Sequence, residues 1–578
     1  MKRGPGAAFA WKRFFILAMT LGSIALGGAS GFAQGSPVYK ITGVVVSERN
    51  GAPVPRCHLT AMLSTGQASS GRPQRQRKQA ADESLSTETD ASGHFSMLLP
   101  SAGSWQLYGF ARGFRRQAYD RHENYFSAVV LLPDAPVVDL VFHLEPDSSI
   151  AGFVRDEAGE GVRNARVSLL AALPEGTDAD PGLGHARSGT MTDDRGHYEF
   201  AELAPGDYNI GVQAEPWFAA APARRFQPVN GPPPDPSLDV VYPQIWFPGV
   251  TDRRSAEVIS LHHGEDREAD LALTPMPATH LRINPPILPA SGALRGQSFP
   301  IVERVSSDAV PFANTAVQID PQGQIDVGGL SPGLYRVSLQ GPDGQQTPAY
   351  VRVPSGAQHS LDLSAAIPAA DVSLHFDVEA EAERVQVVLT DMEDGGTFSS
   401  YAQGGLQRRR NGPMPALSSA GDRRLVVPSG RYRVSLVTDG DMYLSGMSVK
   451  NTPVEARLIT LPSGSTTLNL KLTHGRASVR GTTSLSGKAV SGAMVMLVPA
   501  TYGQLGSITV LRRDQTNTDG SFLIENIIPG DYILLAIDHG WTINWHDPST
   551  LETFLIHGTP LALQSNASVK QDVMAQAP

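Results

Sequence analysis

Several stretches of this sequence carry residue types whose spacing could do chemistry. Gly329-Leu330-Ser331-Pro332-Gly333 fits G-x-S-x-G, the pattern that lifts a nucleophilic serine out of a strand-to-helix turn. His262-His263-Gly264-Glu265 contains H-x-x-E, which could offer two ligands to zinc. Gln515, Asn517, Asp519 and Gly520 space side-chain oxygens in the manner of a calcium loop. The last signal is aromatic. Trp217, Phe218, Tyr242, Trp246 and Phe247 crowd one proline-rich segment, and Trp541 and Trp545 lie close together near the end of the chain. Exposed aromatic faces flanked by Asp, Asn or Gln can stack on sugar rings at little entropic cost.

The first three lack the surroundings their chemistry needs. No helical pattern follows Ser331, so it sits between two strands and no nucleophile elbow is expected. Zinc catalysis needs three protein ligands and an open position, whereas His262 to Glu265 reads as a polar turn between Leu261 and Leu271. The calcium-like loop begins with Gln515 and has Asn526 where a bidentate Glu belongs. An Asx-stabilised turn explains it and the related Thr192–Gly196 better. No catalytic residue, metal or cofactor is therefore expected. Lys-Asn crosslinks of the kind that brace some surface sandwiches are excluded from the middle of the chain, because no lysine occurs between Lys78 and Lys450. Arg72, Arg75, Arg77 and Lys78 fall in a polar insertion, Ser64 to Ser86, that reads as a solvated loop. The six residues to test as a ligand site are Trp217, Phe218, Tyr242, Trp246, Trp541 and Trp545, against the alternative that they cover a sandwich edge or seal a joint between domains.

These residues must be positioned by strands. Gly103-Ser-Trp105, Gly206-Asp-Tyr208, Gly333-Leu-Tyr335, Gly430-Arg-Tyr432 and Gly530-Asp-Tyr532 each place an aromatic two residues after a turn glycine. They recur about every 100 residues, the usual size of an immunoglobulin-like sandwich domain. In the second copy Tyr198 and Phe200 alternate onto one face, Pro205-Gly206 supplies a type II turn, and Tyr208, Ile210 and Val212 alternate again in a hairpin-like return. The fifth copy repeats this with Phe522, Ile524, Pro529-Gly530, Tyr532 and Leu534. Each strong copy also opens alike: Gly152, Gly159, Val162, Ala165 and Val167 match Gly481, Gly487, Val490, Ala493 and Val495. In the first copy Gly43, Val45, Gly51 and Val54 lead to Cys57, which takes the slot of Ala165 and reads as a small inward-facing residue. It is the only cysteine, so no disulfide can form within the chain.

The pairing of G-x-V-x-D-x-x-G-x-x-V-x-x-A-x-V-x-L with T-D-x-x-G-x-[FY]-x-[FI]-x-x-[LI]-x-P-G-x-Y resembles the carboxypeptidase regulatory-like domain. The resemblance implies a prealbumin-like, seven-stranded β-sandwich, also grouped with carbohydrate-binding-like folds, serving as a non-catalytic accessory module. It is good in copies one, two and five and limited to the last turn and strand pair in three and four. The expected architecture is all-β: a signal peptide at 1–33, then sandwiches at 36–145, 146–275 (with the aromatic insertion), 276–368, 369–474 and 475–578.

The rest of the composition agrees with this reading. Fifty-seven glycines, 44 prolines and only 18% charged residues describe short strands joined by turns. Lys2, Arg3, Lys12 and Arg13 precede the apolar run Phe14–Leu26, and Gly31-Phe32-Ala33 offers a cleavage site, which predicts an extracytoplasmic protein, periplasmic, surface-bound or secreted. No later segment is apolar enough to span a membrane as a helix. A net charge of −10 argues against nucleic acid as a partner. The expected function is non-catalytic binding or adhesion, with polysaccharide as the ligand class to test. The alternative is a structural spacer or envelope scaffold that contacts another envelope protein, and a hydrolase ranks last. Exposure of Trp246 or Trp545 in a concave patch favours sugar binding; full burial of both favours the scaffold.

Overall fold

The computed structural model describes residues 38–64, 84–172, 188–219, 227–228, 235–284, 300–305, 316–319, 324–340, 346–355, 360–377, 385–393, 395–399, 423–438, 442–454, 457–502, 511–545 and 547–578. The predicted signal peptide and most of the Ser64 to Ser86 insertion lie outside them. The described chain is all-β. Its longest described helix is Pro548–Leu555, started by Asp547, whose carboxylate accepts from the Ser549 N–H. No helix among the described residues is long and apolar enough to cross a membrane.

One strand plan occurs five times. In the second copy Ser148–Arg155 pairs antiparallel with His197–Leu203 and parallel with Asp266–Glu268 and Leu271–Ala272. Facing it, Arg166–Ala171 pairs with Ser188–Met191 and Gly206–Gln213. The fifth copy sets Ala477–Leu485 between Ser521–Ile527 and Ser568–Lys570, with Met494–Pro499 and Gly530–Ile537 in the opposite sheet. The first copy does the same with Tyr39–Ser47, His94–Leu99 and Val137–Leu144 against His58–Leu63 and Gly103–Phe110. Copies three and four follow the plan too: Thr279–Ile283 lies between Ile325–Leu330 and Ser360–Asp362, and Ala369–Phe376 between Arg423–Pro428 and Gly464–Thr473.

The strands flanking the repeated glycine do not pair with each other, which corrects the expected hairpin. His197–Leu203 belongs to one sheet and Gly206–Gln213 to the other, so the turn is an arch across the sandwich. The physical reason is that both strands point apolar residues into one core: Tyr198 and Phe200 meet Ile210 and Val212 there. The glycine is not in the compact type II geometry either. Gly103, Gly206, Gly333 and Gly530 have φ of 143°, 150°, 152° and 158°, a left-handed region that side chains disfavour. The following aromatic then ties the arch to itself. Tyr208, Tyr335, Tyr432 and Tyr532 each donate their hydroxyl to the carbonyl four residues back, at 2.8, 2.9, 2.7 and 2.6 Å, and the Trp105 indole donates likewise to Ser101 at 3.3 Å.

The two halves of the sequence pattern also touch. Thr89, Thr192 and Thr516, the first residue of each T-D or T-N turn, are buried. Their hydroxyls accept from the N–H of Cys57, Ala165 and Ala493 and donate to the carbonyls of Val54, Val162 and Val490. The opening glycine has a different cause: a Cβ on Gly43, Gly152 or Gly481 would stand 2.0, 2.3 or 1.9 Å from a carbonyl oxygen of the last, parallel strand. Only hydrogen leaves that strand room.

Candidate functional site

The six aromatic candidates separate into three places. Trp217 is 82% exposed, with Phe218 edge-on to its ring at 5.7 Å. Tyr242 and Trp246 are in the second sandwich. Trp246 is 4% exposed because Ile245–Trp246 adds to the edge of the sheet, opposite Gly211, and its indole covers that glycine so closely that a Cβ there would meet the ring at 2.8 Å. The Arg253 guanidinium lies 5.5 Å from the ring centre. Tyr242 joins the same core and donates to Glu157 at 3.1 Å; burial raises its pKa first, and the Glu157 carboxylate adds to the shift. Neither residue presents a face to a ligand. They cover a sandwich edge.

Trp541 and Trp545 are taken up by a junction between the fifth sandwich and the first. Trp541 anchors its indole N–H on the Gly492 carbonyl at 3.0 Å and stacks on His122 at 5.3 Å, with planes 8° apart. Tyr125 lies against it at the same centroid distance. Arg513 fills the space between: its guanidinium is 4.0 Å from the Trp545 ring centre, 5.5 Å from Trp541 and 5.2 Å from Tyr125. Its fork closes on Glu123 at 3.0 and 2.7 Å.

Around this cage runs a row of hydrogen bonds. Gln515, 2% exposed, donates to Asp120 and to the Ser127 hydroxyl, while its carbonyl oxygen meets the His122 ring at 3.1 Å. Ser127 donates to the Thr516 carbonyl at 2.8 Å. The edge of strand Val129–Leu131 is completed by side chains rather than by another strand. The Ala128 N–H reaches the Asn517 side-chain oxygen and the Val130 N–H reaches the Thr518 hydroxyl, both at 2.9 Å, and the Thr518 N–H returns to the Ala128 carbonyl at 3.1 Å.

The chemical motifs dissolve in the same geometry. Ser331 bonds Tyr335 in the third arch and leads into another strand. His262 and Arg267 hold Glu265 at 2.8 and 3.2 Å, and these interactions, with the His262 backbone N–H first, keep its carboxyl below the usual range. His262, Glu265 and Asp266 line an open polar cleft of about 510 Å³ with Arg49, whose guanidinium donates to the Gly264 carbonyl. Among the described residues no three His, Cys, Asp or Glu side chains converge as metal ligands. Gln515, Asn517 and Asp519 turn to three different partners. Cys57 is fully buried, and burial pushes its thiol up to about 11, away from reactivity.

The residues that build the junction from the first sandwich, Asp120 to Val130, carry no pattern that sequence reasoning uses. On the fifth sandwich a signal did exist: Asn517 and Thr518 replace the Asp193-Asp194 pair of the second copy.

Fold and site together define a tandem β-sandwich protein whose sandwiches share one strand plan. Residues 149–221, within the second sandwich, match the family model of the carboxypeptidase regulatory-like domain. No curated protein matches the chain. Among solved structures, the Bacillus anthracis TIE protein is similar at 11% identity over 95% of this chain and 76% of that one, with a TM-score of 0.16. The minor pilin GBS52 of Streptococcus agalactiae is 10% identical over 44% of this chain and 100% of its own, at a TM-score of 0.22. The shaft pilin SpaA of Lactobacillus rhamnosus GG is 10% identical over 44% and 100%, at 0.18.

Proposed function

We propose that this chain is an exported, non-catalytic scaffold of the cell envelope, whose sandwiches hold one another and display loops to an envelope protein. The observation that carries the reading is that Trp246 is buried at a sheet edge and that Trp541 and Trp545, each half-buried, are engaged by the junction. Residues that could have stacked on a sugar seal an edge and a junction instead. Tandem sandwiches without an active site serve this role through their surface loops.

A second reading, polysaccharide recognition, is favoured by one observation: Trp217 keeps both its size and its exposure, 82%, beside Phe218. Affinity electrophoresis of the mature chain through a panel of polysaccharides, together with crosslinking in whole cells, separates the two. The scaffold reading expects no retardation by any polysaccharide and a defined crosslinked protein partner. Retardation that Trp217→Ala abolishes would replace it with the second reading, and whole cells yielding no protein adduct would remove its support.

A further inference from the structure

The junction between the first and fifth sandwiches is built like an interface between separate proteins rather than like a domain core. Its centre is an arginine clamped among Tyr125, Trp541 and Trp545, and its margin is polar. The hydrophobic clusters on its two sides have no member in common, and no described sheet crosses it. The third and fourth sandwiches meet differently, since Leu334 and Tyr350 enter the core of the fourth. The two faces of the junction are also different surfaces, one carrying Glu123 and the other Arg513. A contact of that kind can be satisfied within a chain or between chains.

We propose that this clasp is exchangeable, and that its second occupant is another copy of the chain: the Asp120 to Val130 face of one molecule docks on the Arg513 to Thr518 face of the next. Two copies that exchange clasps reciprocally make a closed pair in which every hydrogen bond of the closed monomer is kept. Charge complementarity supports this occupant. Glu123 is half exposed and Arg513 is mostly covered, and each is the other's bidentate partner. Closure within one chain competes with exchange at an effective concentration set by the three sandwiches that tether the two faces, so exchange is favoured when chains are concentrated or when the internal pair is mismatched. The proposal concerns the chain's own contacts and stands whether or not the scaffold reading holds.

Full-length E123R and R513E provide the test. Each variant places like charges across its own clasp. When they are mixed, the arginine introduced in one faces the glutamate introduced in the other, and the wild-type Glu123 and Arg513 meet across the second clasp. Light scattering should give one chain mass for each variant alone and twice that mass for the mixture. A mixture that stays at one chain mass, with both variants retaining wild-type circular dichroism, overturns the proposal. A second arm needs only the substitution at half-exposed Glu123 and so remains informative if R513E fails to fold. Wild-type chain refolded at high concentration should yield a dimer fraction that E123R does not. Refolding of the wild type to monomer alone would count equally against exchange.

Discussion

Thr192→Val isolates a contact that the repeat makes three times. Valine keeps nearly the volume of threonine, so the packing around position 192, which is 3% exposed, changes little. What is lost is the hydroxyl that accepts from the Ala165 N–H at 2.8 Å and donates to the Val162 carbonyl at 2.5 Å. Ala165 is fully buried, so its N–H gains no water in exchange. Leaving one buried donor unpaired costs about 1–3 kcal/mol, and at 1.36 kcal/mol per factor of ten this is about a 5- to 150-fold loss of protection for that amide. Hydrogen exchange read by mass spectrometry on peptides spanning Ala165 measures it directly. Peptides spanning Ala493, held by Thr516 in the same way, serve as the control within the same molecule. Unchanged exchange at Ala165 in a folded variant would refute the claim that the hydroxyl clamps the two motif halves together. Equal loss at Ala493 would refute its local character.

Two further predictions concern pH. His280 is gripped between carboxylates, with Nδ1 3.0 Å from Asp326 and Nε2 2.7 Å from Asp239, and these partners, Asp326 foremost, raise its pKa from 6.5 to about 9 against the opposing effect of burial. A raised pKa in the folded state means stability that is whole below pH 6.5 and lost as pH rises through about 9. His280→Asn should flatten that part of the stability profile, and a profile as steep as wild type in the variant would refute the assignment. Asp514 accepts from the Leu523 N–H at 2.7 Å, yet burial dominates and lifts its carboxyl from 3.8 to about 7. Its contribution is whole below pH 3.8 and lost as pH rises through about 7, so Asp514→Asn should be more stable than wild type above pH 7, with the difference vanishing in acid. Equal melting temperatures for the two at pH 8 would count against a desolvated, ionised Asp514.

Much of each sandwich could be read from alternation. Cys57, Ala165 and Ala493 share one buried slot, and Tyr198, Phe200, Ile210 and Val212 all point inward, as their spacing requires. Alternation states which face a residue takes but not which sheet its strand joins. For that reason the arch at Gly206 could be taken for a hairpin: the pattern of inward residues is the same in both cases. The aromatic candidates show a second limit. Exposure is set by where an insertion lies down, and nothing in the Trp217 to Gly249 composition says that Ile245–Trp246 will pair with Gly211 and Val212 while Trp217 stays outside. The junction is less legible still. Its contacts come from single side chains on turns and on short elements such as Arg512–Gln515 and Gly540–Thr542, with no period to detect.

The copies nevertheless contain a usable contrast. In the first and second sandwiches, Asp90 and Asp193 spend their carboxylates on their own turns, each accepting two backbone N–H groups. In the fifth, the backbone of the turn is kept, since the Asn517 N–H still reaches Ser521 and the Gly520 N–H still reaches Asn517. The side-chain work passes to Asp519, which accepts from the Ser521 N–H and hydroxyl. Asn517 is thereby released to accept from Ala128, and Thr518, standing where Asp194 stands in the second copy, accepts from Val130. A carboxylate at both positions would set like charges beside Asp519 on a surface that must be covered. The turn that looked like a site thus acquires its role through its departures from the repeat: what recurs builds the sandwich, and what changes joins one sandwich to another.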